Sequence, residues 1–241
     1  MSIWAALFWG AFSSAALYIG EALAGPVGNR HKVMGLVMGF GAGTLLSAVA
    51  YELVPASSLS HGLGMGISFA LGALVYYVGD RVIDGSGGEK RQAIESDDEG
   101  SGAAMFLGAL LDGVPEAFIL GTTISVGGAI SVAFIVAIFV SNIPQGIAGT
   151  TSLQAAGYSN RRIFRMWTAL TIATALTAAL GYLVGNRTDL GGLYAQAFAA
   201  GALLTMLADS MMPEGFRYGG KSVGLVVVLG YMVAAALTIL Q

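Results

Sequence analysis

Cysteine is absent from the 241-residue chain, which removes disulfides, thiolate metal sites and thiol redox relays together. Charge is nearly as scarce, with Asp, Glu, Lys and Arg at 10% of residues against 56% hydrophobic ones. A soluble domain carries about a quarter charged residues, so this composition cannot supply an ordinary solvated surface. Histidine occurs only 2 times and proline 5 times, so an imidazole-rich centre is excluded and each proline position carries weight. No nucleotide-binding loop is visible, and no nucleophile, base and orienting group can be assembled from motifs, so neither an enzyme nor a nucleic-acid partner is expected.

What is present is a series of long apolar runs, with a mean hydropathy of +0.75. A lipid span needs roughly 20 mainly apolar residues. Eight such segments can be placed, at about 3–24, 33–56, 62–83, 103–125, 129–153, 166–185, 194–213 and 221–240. The expectation is an all-α integral membrane protein, a single transmembrane domain over 1–241 whose surroundings are the lipid bilayer of the cell membrane. The first run lacks a basic leader and reads as a span, not a cleaved signal. If the N-terminus lies outside, then of the 11 basic residues only Arg187 falls outside, and Arg30, Lys32, Arg81, Lys90, Arg91, Arg161, Arg162, Arg165, Arg217 and Lys221 fall inside. The positive-inside rule then puts both termini outside. The polar linker "DGSGGEKRQAIESDDEG" (84–100) reads as a flexible cytoplasmic loop, about 84–101, that separates three spans from five.

The chain also repeats itself. "FGAGTLLSAVAYELVPA" (40–56) and "FAAGALLTMLADSMMPE" (198–214) match at seven of 17 positions under a constant shift of 158 residues, terminal proline included. These are the second and seventh spans, which cross in opposite directions. A shorter pair, "LDGVPEAFILGTT" from 111 and "VSNIPQGIAGTT" from 140, aligns Pro115 with Pro144, Glu116 with Gln145 and Asp112 with Ser141. Inverted repeats with interrupted helices near the midplane are a transporter signature. The expected architecture is a 3+2+3 inverted repeat, spans one to three mirroring six to eight about a central pair.

That central pair holds the most expensive residues. Asp112 and Glu116 project from one face of the fourth span, where an ionised carboxylate costs at least ~2.5 kcal/mol on insertion scales. They need protons, a cation or a wet cavity. Ser141 and Gln145 repeat the spacing on the fifth span, and Asn142 lies beside them. Pro115 and Pro144 cannot donate to the carbonyls of Leu111 and Val140, which leaves two backbone oxygens free near these side chains. Oxygen ligands for a cation thus converge from two helices; the alternative, protonated acids acting as hydrogen-bonded glue, stays open. Glu52 and Glu214, at the ends of spans two and seven, are candidates for a pathway or are hydrated end residues. Asp209, deeper and one turn before Pro213, is a candidate on the cytoplasmic exit side.

These residues resemble the ZIP family of divalent metal transporters over nearly the whole chain. The family's fourth span typically reads His-Asn-x-Pro-Glu-Gly, where Asp112-Gly113-Val114-Pro115-Glu116-Ala117 stand here; its fifth reads His-x-x-Pro-Glu-Gly, where Ser141-Asn142-Ile143-Pro144-Gln145-Gly146 stand. By position the resemblance implies metal ligation by Asp112, Glu116, Ser141, Asn142 and Gln145. Both motif histidines are absent, and Thr174 or a neighbour falls where many bacterial members carry a glutamate. The resemblance implies a divalent cation as transported substrate, zinc by family habit, and a homodimer. Oxygen ligands in place of imidazole weaken selection for zinc over manganese, iron(II), magnesium or calcium. Two other readings keep the scaffold: a carrier of protons or another small solute, and a membrane protein that transports nothing.

Overall fold

The computed structural model describes residues 2–27, 30–53, 62–83, 101–125, 132–187 and 192–240, with backbone alone at 101–105 and 132–133. The linker expected to be flexible at 84–100, together with Pro55 and His61, lies outside the described residues. Among the described residues every extended element is a helix. Eight helices are long and apolar enough to cross a membrane: α1 (Ile3–Val27), α2 (His31–Leu53), α3 (Leu63–Ile83), α4 (Ser101–Ser125), α5 (Val132–Ala155), α6 (Asn160–Arg187), α7 (Leu193–Gly219) and α8 (Ser222–Ile239). The chain is an all-α, multi-pass membrane protein.

Two span boundaries differ from the expected ones by more than a helical turn. Helix α6 begins at Asn160, about a turn and a half earlier than 166, so Arg161, Arg162 and Arg165 sit on helix and not in a loop. The reason is a tight connection. Gly157 takes φ +80°, the Gly157 N–H donates to Gln154 O at 3.0 Å and the Tyr158 N–H to Leu153 O at 3.0 Å, which closes α5 with a Schellman motif and lets α6 start at once. The Arg162 guanidinium lies over the Tyr158 ring, 4.2 Å from its centroid, and the long arginine stems carry their charge clear of the apolar part of the helix.

Helix α7 continues past 213 to Gly219. Pro213 has no N–H to offer and its ring crowds the carbonyl four residues back, yet the span does not end there. Instead Leu207–Met211 forms a π-helical turn that widens the helix ahead of the proline. Helix α2 has a π turn at Val49–Leu53. The shift of 158 residues that aligns the two sequences carries one π turn onto the other, so the two segments share a rare backbone conformation.

The burial pattern sorts the helices. Windows of α2 and α5 are each 67% buried and that of α4 61%, whereas those of α3 and α8 are 22% and 17% buried. Helices α2, α4 and α5 therefore form the interior, and side chains such as Leu63, Leu74, Leu225 and Met232 stand exposed on the periphery, where lipid is the natural neighbour. Helix α4 packs on α6 and α1 on α5; α2 packs on α8 and α3 on α7; α1 meets α6, and α4 meets α5.

Glycines set the closest of these contacts. A Cβ on Gly43 would overlap the Val227 carbonyl oxygen, and one on Gly201 would overlap that of Phe69. Likewise Gly230 abuts the carbonyl of Phe40, and Gly72 that of Phe198. Each contact between α2 and α8 maps onto one between α7 and α3 under the same shift of 158, with both partners in register. Helices pack this closely in a bilayer only where small residues let the backbones approach.

Candidate cation site

The five residues singled out on α4 and α5 are all buried: Asp112, Glu116, Ser141, Asn142 and Gln145. Asp112 and Glu116 are four apart on α4, about 6 Å along the axis, and the helix runs on through Pro115. Helix α5 likewise runs through Pro144. The groups that act on the Glu116 carboxylate are Asp112, Asn142 and Ser141, so the two helices bring their polar faces together. None of those groups is basic.

Each wall of the site is held from behind. The Asn142 Nδ2 donates to the Ser13 backbone oxygen on α1 at 3.2 Å. The Ser141 hydroxyl donates to Ile138 O at 2.8 Å. Helix α2 reaches Ser141 because Gly41 has no side chain: a Cβ there would lie 2.8 Å from Ser141 Cα and 2.9 Å from Met211 Cε. Ser14 and Thr174 share a hydrogen bond of 2.7 Å between α1 and α6, and a Cβ on Gly113 would meet Thr174 Cγ2 at 3.1 Å. Thr174 thus lies against Gly113, and a side chain there would press on its methyl by a few tenths of an ångström.

Two polar atoms in this buried cluster have no hydrogen-bond partner, Glu116 Oε1 and Gln145 Nε2. Buried polar groups are paired in the large majority of cases, so each exception calls for a reason. Among the described residues no three His, Cys, Asp or Glu side chains come together. A cation held here would therefore take two carboxylates and fill its shell with hydroxyl, amide and carbonyl oxygens, a set that suits hard divalent ions.

The pathway candidates are distributed differently. Glu52, partly buried in the π turn of α2, accepts a hydrogen bond from Thr238 Oγ1 on α8 at 2.8 Å. Glu214, also partly buried, lies 3.7 Å from Arg217 Nη1. Asp209 is exposed, whereas its neighbour Ser210 in the α7 π turn is buried, as are Leu207 and Met211.

Sequence reasoning missed one participant. Tyr76 on α3, wholly buried, donates its phenolic hydrogen to Asp112 Oδ1. One turn further along, Asp80 is buried on the same face of α3. A tyrosine and an aspartate four apart inside an apolar span were the available signal. Compared with known proteins, the chain matches no protein-family model and no curated sequence.

Proposed function

We propose that this chain carries a divalent metal cation across the cell membrane, binding it between α4 and α5 through Asp112 and Glu116 with Ser141, Asn142 and Gln145. The observation that carries this reading is the Glu116 carboxylate: buried, beside a second acid, with one oxygen unpartnered and no base among the groups that act on it. A charge so placed is costly without a counter-ion, and a cation bridging both carboxylates would satisfy it. Zinc is the substrate by resemblance to the ZIP transporters; the all-oxygen donor set favours manganese, iron(II) or magnesium at least as well.

The reading includes an inverted repeat, α1–α3 mirroring α6–α8 with α4 exchanged for α5, and both termini outside. The matched π turns support it, as do the four glycine contacts in register. The packing pairs also exchange under it: α1 with α5 for α6 with α4, and α2 with α8 for α7 with α3. Transport follows by alternating access, one bundle rocking against the other around a fixed midplane site, with a homodimer as the assembly implied by the resemblance. The protein acts as a carrier and not as a catalyst.

Uptake of Mn²⁺ or Zn²⁺ into proteoliposomes tests the proposal. The wild-type chain should give saturable flux, and Asp112→Ala with Glu116→Ala should abolish it. Unchanged flux in the double variant would place transport elsewhere.

A further inference from the structure

We propose that Tyr76 is a positioning and specificity-determining residue for the cation site, fixing Asp112 so that it offers a single oxygen to the ion. The assignment rests on the carrier reading above. Helix α3 belongs to the periphery, yet Tyr76 is 1% exposed and its hydroxyl donates to Asp112 Oδ1. A carboxylate oxygen engaged by a phenol is restrained in orientation, and carboxylate ligands are commonly held by such outer partners.

The repeat supplies an internal control. The shift of 158 that carries Gly72 and its contact at Phe198 onto Gly230 and Phe40 carries Tyr76, one turn along α3, onto Ala234 of α8, which is also buried. The aligned helices α4 and α5 place Ser141 where α4 has Asp112. One half therefore holds a tyrosine and an aspartate, and the other an alanine and a serine whose hydroxyl lies 2.8 Å from Ile138 O in its own helix. Had the ring been needed only to fill the space between helices, the second half would be expected to keep a large residue. The hydroxyl accompanies the carboxylate.

The ring lies against an apolar cavity of about 150 Å³ lined by Leu111, Pro115, Phe118 and Ala199 among others, which offers it apolar packing. With Oδ1 held, Asp112 acts as a one-oxygen ligand, which suits the compact shell of Mn²⁺ better than the larger, often bidentate shell of Ca²⁺.

The test is Tyr76→Phe, which keeps the ring and removes only the hydroxyl. Calorimetric titration of purified protein with Mn²⁺ and with Ca²⁺ should show Mn²⁺ affinity falling about 10–100-fold, with Ca²⁺ affinity falling much less, so that the Mn²⁺ to Ca²⁺ preference drops. Equal losses for both ions, or none, would overturn the assignment and leave the carrier reading standing. A wild-type chain that binds neither these ions nor Zn²⁺ saturably would remove the carrier reading and the assignment with it. Should Tyr76→Phe not be recovered folded, the near-ultraviolet tyrosine difference spectrum of the wild-type chain decides. Mn²⁺ should perturb it and should not in Asp112→Asn, whereas a flat wild-type spectrum at saturating Mn²⁺ counts against the pairing.

Discussion

Replacing Glu116 by glutamine separates a cation ligand from structural glue, because the two roles predict opposite signs. The side chain keeps its shape and loses its charge. Glu116 is 2% exposed, its Oε1 has no hydrogen-bond partner, and Asp112 beside it adds repulsion. An ionised carboxylate at membrane depth costs about 2.5 kcal/mol on insertion scales, so its removal should stabilise the cation-free protein by about that amount. At roughly 2–4 °C per kcal/mol for a chain of this length, the thermal midpoint in EDTA should rise by about 5–10 °C. Cation binding should move the other way. A pair of unit charges at about 4 Å contributes about 4 kcal/mol at an effective dielectric near 20, and a divalent ion about twice that, so Mn²⁺ affinity should fall by at least roughly two to three decades. Intrinsic-fluorescence melting of purified protein, first in EDTA and then against a Mn²⁺ series, reads both quantities. If Glu116→Gln lowers the EDTA midpoint and the Mn²⁺-induced rise survives, the carboxylate is holding helices together and the reasoning fails.

Two further outcomes follow from the same geometry. Asp112 and Glu116 must shed protons before they hold a metal, so the contribution of the carboxylates to binding is complete at high pH and lost as pH falls into the range where the cation-free acids take up protons; Mn²⁺ flux into proteoliposomes should decline with acidification, and flux that rises on acidification would contradict carboxylate ligation. Gly43→Ala and Gly201→Ala each push a methyl into a carbonyl on the facing helix and should each destabilise by about 1–3 kcal/mol, whereas Gly25→Ala, which meets open space, should be neutral or slightly stabilising in the same melting assay.

The membrane class and the placement of the eight spans were legible because an apolar run of the right length has few other stable forms. Asp112, Glu116, Ser141, Asn142 and Gln145 stood out because polar residues inside such runs are expensive, and their shared burial needed only the helical spacing of three and four. The start of α6 was obscured by Arg161, Arg162 and Arg165, whose charge reads as loop although their stems suit helix. Residues beyond 207 could not be assigned to a face by counting, since a π turn inserts an extra residue and rotates everything after it. Tyr76 was passed over for a different reason. A tyrosine in an apolar span reads as packing, and its bond to Asp112 links positions 36 apart in the chain.

On the inverted-repeat reading, the two halves agree where helices touch and differ where polar groups face inward. Gly43 and Gly201 match, as do Gly72 and Gly230, the π turns, and Pro115 with Pro144. By contrast Asp112 is paired with Ser141, Glu116 with Gln145, Tyr76 with Ala234, Glu52 with Ser210 and Asp80 with Thr238. The division has a physical sense. Alternating access needs two conformations within a few kcal/mol of each other, and equivalent packing in the two halves provides that balance, because each closed interface on one side has a counterpart on the other. Ligands face the opposite requirement. A second pair of carboxylates from α5 would add like charge to a buried site that already holds two acids, and a single divalent ion would not neutralise it. Amide and hydroxyl groups from α5 complete a coordination shell without that charge. On the carrier reading the chemistry is therefore concentrated in α4, with Tyr76 of α3 behind it, while the proposed repeat keeps the mechanical scaffold close to symmetric.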